Sequence, residues 1–178
     1  EYAHAAAKLE KSRYPLDLSV GVAGVGTQLQ ANSELRDVVR LLCLEALVRT
    51  HDGDTAGAVE SLSAMYAAAR SLANEPVMLS QLVVLAIEGL SAECTCNALS
   101  ARQFPGEDLD RIAALATSGD IRDSYYRAVV GEAAFGLFDN SPTNPLSNPL
   151  SMFDRHAYVD AIEAVLDTAD LPLRDAIT

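Results

Sequence analysis

The sequence predicts an all-α protein, a stack of antiparallel helical hairpins containing about seven helices. Three observations predict it. Segments with apolar residues at helical spacing follow one another, and no stretch alternates apolar and polar residues as a half-buried strand does. Short breaks rich in Gly, Pro, Asn and Asp separate those segments. The longest apolar stretch, Pro76 to Leu99, is too long for an ordinary strand and has no turn residue in its first half.

That stretch reads as the central helix. From Val77 to Ile87 only Ser80 and Gln81 are polar, so apolar residues fall on every side of the helical wheel. Such a helix is expected to be surrounded by protein. Asn74 or Glu75 is placed to cap it, with Pro76 in the first turn. Leu82→Asp is then expected to prevent folding, because it would bury an unpaired charge. The wholly apolar part covers about ten residues, fewer than the roughly 18 of a membrane span, so no span is expected within this chain.

The remaining elements follow in order. Glu1 to Lys11 is Ala-rich and predicts a short first helix with Tyr2, Ala5, Ala6 and Leu9 on one side, ended by Tyr14 and Pro15. Val20 to Gly26 (VGVAGVG) reads as a loop or close-packed turn; its glycines do not match the spacing of a phosphate-binding loop. A second helix is expected from Glu34 to Thr50, its apolar face made by Leu35, Val38, Val39, Leu42, Leu44 and Ala46. Gly53 suits a left-handed helix end, and Asp54 or Thr55 suits the next N-cap. The third helix runs to about Ala73 with Ala58, Val59, Leu62, Met65, Tyr66, Ala69 and Leu72 inward. After the central fourth helix, Phe104, Pro105 and Gly106 form a break. A fifth helix covers Glu107 to Thr117, with Leu109, Ile112, Ala113 and Leu115 inward. Asp120 and Asp123 resemble a capping box for a sixth, aromatic helix reaching Phe138. Residues 1–139 thus form a helical core domain. Residues 140–150, with three prolines, three asparagines and two serines, read as a loop. In 151–178, Ser151 and Asp154 cap a last helix to about Thr168 that packs on or extends the core.

Composition limits the partners. Of 178 residues, 49% are apolar and 21% charged, which describes a folded chain and not a disordered one. Thirteen Lys and Arg against 25 Asp and Glu give a net charge of −12, and no basic cluster interrupts that field. Nucleic acid and anionic lipid are therefore not expected as partners. The cysteines, Cys43, Cys94 and Cys96, are too few and odd in number for a disulfide framework. Cys94 and Cys96, two apart on a helix, point in different directions.

Gly53 and Asp54 followed by Ala58, with small Ala46 on the preceding helix, resemble the helical hairpin of tetratricopeptide repeats. That resemblance implies a TPR-like right-handed α-α superhelix. A longer likeness is carried by Arg40, Leu41, Leu42, Leu44 and Ala46, then Gly53, Asp54 and Ala58. It continues through Arg70, Leu72, Glu75, Pro76, Leu79, Gln81, Leu82 and Val83. In this order of residues the chain is similar to a family of uncharacterised helical proteins from planctomycetes and related bacteria. Members commonly carry a membrane anchor ahead of this region, which implies the soluble part of a membrane-anchored bacterial protein. The family implies no activity and no catalytic residues.

No motif carries a reaction. There is no GxSxG, and no Cys is visibly paired with a His. His4, His51 and His156 lack carboxylates at ligand spacing, and the turn around Asp52 and Asp54 lacks the ligand set of a calcium loop. No catalytic residue, metal ligand or cofactor is therefore assigned. The polar residues that stand out lie inside apolar helices. Gln81 and Glu88, seven apart, share one stripe of the central helix, and Glu45 lies midway along the second. Arg36, Arg40, Arg49 or Arg70 could partner these carboxylates and set helix register. Otherwise the three residues line a polar groove. The expected function is a protein–protein interaction or scaffold module, binding a protein or peptide partner or self-associating through the aromatic helix. The alternative is a small-molecule binder or enzyme with an interhelical pocket around Glu45, Gln81 and Glu88.

Overall fold

Thr50 to Gly57 shows how a few local residues set the first long hairpin. Gly53 has φ +88°, a left-handed conformation open to glycine and strained for other residues. The Gly53 N–H reaches the Thr50 carbonyl (3.2 Å) and the Asp54 N–H reaches the Arg49 carbonyl (2.9 Å), closing the preceding helix in a Schellman motif. Asp54 then caps the next helix, its carboxylate accepting from the Gly57 N–H at 3.0 Å.

A computed structural model of the chain describes residues 1–9, 12, 14, 22–116, 121–138 and 152–169. Among them every regular element is a helix: α1 (Tyr2–Ala6), α2 (Val22–Asp52), α3 (Thr55–Leu72), α4 (Met78–Ala101), α5 (Gly106–Ala116), α6 (Ile121–Phe138) and α7 (Met152–Ala169). The loop expected at 140–150 and the capping residues Asp120 and Ser151 lie outside the described residues. Helices α2, α3 and α4 pack on one another; α5 packs on α3, α6 on α4, and α7 on α6. Cys94 donates to the Cys43 carbonyl and Arg102 to the His51 carbonyl, so α2 and α4 run parallel in one register. Between them in the chain, α3 runs back antiparallel.

The core is centred on α3. Leu62, Met65 and Leu72 are fully buried, joined by Val39 of α2 and Ile87 of α4. This corrects the reading of α4 as enclosed on all sides. Leu82 is 57% exposed and Leu85 is 47% exposed, whereas Ser80, Gln81, Ser91 and Thr95 are buried. Hydroxyls of Ser91 and Thr95 donate to the carbonyls four residues back, as do those of Thr50 and Ser61. Small, self-satisfied side chains let α2, α3 and α4 approach closely and leave Leu82 and Leu85 outside. By length and composition α4 could cross a membrane, although the sequence reading counted only its unbroken apolar run. It packs against α2, α3 and α6 along one side.

Other boundaries also move. The expected loop at Val20–Gly26 is helical from Val22 onward, because a helix fixed by packing further along propagates through glycines at only about 1 kcal/mol each. On α2 the buried stripe is Val39, Leu42 and Ala46; Leu44, expected inward, points out with Leu41 and Val48. α1 turns Ala3 and Ala7 to the core, leaving Tyr2 and Leu9 exposed. On α5, Ile112 is buried, but Leu109 and Ala113 are exposed and Asp108 is buried in their place. Phe104, read as part of a break, joins the core.

The cap on α4 comes from another helix. Neither Asn74 nor Glu75 supplies it; the Met78 N–H donates to Glu132 of α6 at 3.0 Å. Arg127 of α6 also donates to the Ala73 carbonyl and to Asn74 Oδ1. At Gly131 the helix lies so close to the Pro76 carbonyl that a Cβ would collide with it. α6 thus clasps the α3–α4 turn through Arg127, Gly131 and Glu132.

Candidate functional site

α3 presents Ala64, Ala67, Ala68 and Ser71 along one side, at spacings of three and four. Small side chains there leave space that α1, α2, α4 and α6 enclose without filling. The result is a pocket of about 500 Å³, within the usual range for small-molecule sites. Leu35, Val38 and Leu42 of α2 and Val84 and Leu85 of α4 give it apolar walls. Ala3, Ala6 and Ala7 of α1 close one side, and Ser124 and Tyr125 of α6 another. Its polar lining includes Tyr14, Arg70, Ser71, Asn74, Gln81 and Glu88.

The three singled-out polar residues separate into three roles. Gln81 lines the pocket, but its amide N–H groups are spent on the turn: Nε2 donates to the Glu75 carbonyl (3.2 Å) and the Leu72 carbonyl (3.4 Å). It ties the end of α3 to the start of α4. Glu88 also lines the pocket. Among the described residues no ion pair or hydrogen bond to its side chain is formed, and burial alone pushes its carboxyl above the usual range.

Glu45 does not belong with them, which corrects the expected grouping. It accepts from Arg49 Nη2 at 2.7 Å and lies 2.8 Å from His4 Nε2. Burial pushes its carboxyl up, but the His4 hydrogen bond and the charges of His4 and Arg49 bring it below the usual range. Arg49 also donates to the Gly57 carbonyl at 3.0 Å, so the cluster joins α1, α2 and α3. Glu45 is a structural ion pair, the outcome expected for a carboxylate midway along a packed helix with arginine one turn on.

Several working residues escaped sequence reasoning. His4, which the sequence showed only as lacking a carboxylate at ligand spacing, anchors α1 to α2 through Glu45. Glu75 is buried and accepts from Ser80 Oγ at 2.6 Å; burial raises its carboxyl, and that hydrogen bond opposes the rise. Glu132 and Arg127 hold the α3–α4 turn from more than fifty residues away. The only hint was an Arg and a Glu on one α6 segment, which nothing distinguishes from a wet face.

The other chemistry-bearing residues do not gather at the pocket. Cys94 is buried, and burial together with neighbouring Cys43 pushes its thiol well up, so it stays protonated and inert. Cys96, two residues on, is exposed. Among the described residues no group of three or more His, Cys, Asp or Glu is placed to hold a metal ion. Comparison with protein-family models, with curated proteins and with solved structures gave no match.

Proposed function

We propose that this chain is a binding domain whose ligand, a small molecule with an elongated apolar body and one polar end, occupies the pocket beside α3. One observation carries the reading: an alanine-floored cavity of about 500 Å³ with one half-buried carboxylate in its wall that pairs with none of the described residues. A mostly apolar concavity of this size with a few polar groups in its wall is the usual form of a small-molecule site. Among the described residues the lining holds two tyrosines, three serines and Asn74 beside Arg70, Gln81 and Glu88, and neither a histidine nor a cysteine. Binding rather than catalysis follows.

NMR titration of the labelled protein with decanol tests this. Shifts are expected at Ala64, Ala68, Val84 and Glu88 and not at Leu41 or Leu44. Ala68→Phe, which fills the floor, should abolish them. Shifts confined to Leu41, Leu44 and Val48 would overturn the reading.

The interaction-module reading keeps one specific support. Leu41, Leu44 and Val48 form an apolar stripe on the outward side of α2, each more than half exposed. A TPR-like right-handed superhelix remains a proposal as well, supported by the parallel α2 and α4 with α3 antiparallel between them. So does kinship with the planctomycete helical family, for which the supporting residues span α2 to α4.

A further inference from the structure

The pocket has two unlike ends. Gln81 touches the Leu72 carbonyl, so the end containing Gln81, Arg70 and Asn74 lies against the last turn of α3. Glu88 is seven residues further along α4, about 10 Å along its axis, next to the Ala64 and Val84 walls. At that end no cation or hydrogen-bond donor among the described residues reaches the Glu88 carboxylate.

From this geometry we infer that the ligand is an amphiphilic organic cation, a primary amine with an apolar tail, whose ammonium group pairs with Glu88 while the tail lies along Ala64, Ala68, Val84 and Leu85. The inference rests on the pocket being a binding site. Charge complementarity selects the class. A half-buried carboxylate without a partner gains most from a group that brings both charge and N–H donors, and an ammonium brings three. An anionic head group at this position would face Glu88 and a chain of net charge −12. A neutral head group would leave the carboxylate's charge uncompensated. The floor of Ala64, Ala67 and Ala68 admits a straight apolar chain.

Calorimetric titration at neutral pH with decylamine, decanol and decanoate tests the assignment, on the wild-type protein and on Glu88→Gln. The wild type should bind decylamine about tenfold or more tighter than decanol, the margin of a charge-assisted hydrogen bond, with decanoate weakest. Glu88→Gln should keep decanol binding and bring decylamine to within about twofold of it. Equal binding of decylamine and decanol by the wild type would overturn the ammonium assignment and leave the pocket reading intact. A decylamine preference that survives in Glu88→Gln would also overturn it, assigning the preference to the general negative charge of the chain. Failure of all three probes to bind would overturn both readings.

Discussion

Glu45 and Glu88 are carboxylates of one helical bundle that titrate in opposite directions, and the sign of each gives a stability test. Glu88 is raised by burial, so its ionised form is the costly one in the folded protein. The folded state then binds the proton more tightly than the unfolded state does. Stability associated with this group grows as pH falls from neutral through its folded pKa toward the ordinary carboxylate value. Glu88→Gln should therefore raise Tm at pH 7 and remove part of the gain on mild acidification, as thermal melts across that range would reveal. Glu45 works the other way. Held below the usual range by His4 and Arg49 against the effect of burial, it contributes fully above the ordinary carboxylate pKa. That contribution fades as pH drops through its lowered folded value. Glu45→Gln should cost about 0.5–1 kcal/mol at neutral pH, a modest figure because the pair is partly exposed, and nothing once the carboxyl is protonated. Denaturant melts at neutral and strongly acid pH would check both halves.

At the scale of elements, the two glycine contacts make separable predictions. Gly53→Ala forces a side chain into left-handed backbone, and urea melts should record a loss of about 1 kcal/mol. Gly131→Ala pushes α6 off the Pro76 carbonyl. Hydrogen exchange should then show α6 and α7 loosening, at about 1–3 kcal/mol, while α2 and α3 keep their protection. Uniform loss of protection would show that α6 is integral to the core. The two sites also differ in legibility. Gly53 and Asp54 could be read because a helix stop and the next N-cap are chemistry within five residues. Glu132 as the cap of α4 could not be read, because 54 residues separate donor and acceptor and only packing brings them together. The short α1 was misjudged for the same reason: which of its sides faces inward is set by the His4–Glu45 contact, not by its own periodicity.

For the whole molecule, the centre of the core decides which substitutions matter. Leu62→Ala removes a fully buried side chain of α3 and should cost about 2–5 kcal/mol. Leu82→Asp, expected from the sequence to prevent folding, changes a largely exposed residue and should alter stability by about 0.5 kcal/mol. Comparing the two in denaturant melts tests whether α3 or α4 is the central helix. By itself the sequence determined the all-helical fold class, where α3 and α4 lie, and how α2 turns into α3. These follow from periodicity, caps and turn residues, which act over a few positions. It also singled out Gln81 and Glu88 as polar residues on one stripe of an apolar helix. Only the tertiary structure decided that α3 and not α4 is enclosed, that Glu45 is an ion pair, and that Gln81 holds a turn. Only it placed Glu88 in a pocket wall with no partner among the described residues. Hydrophobicity counts a leucine alike wherever it points, whereas close approach of three helices favours the small hydroxyls of α4 and turns Leu82 and Leu85 outward.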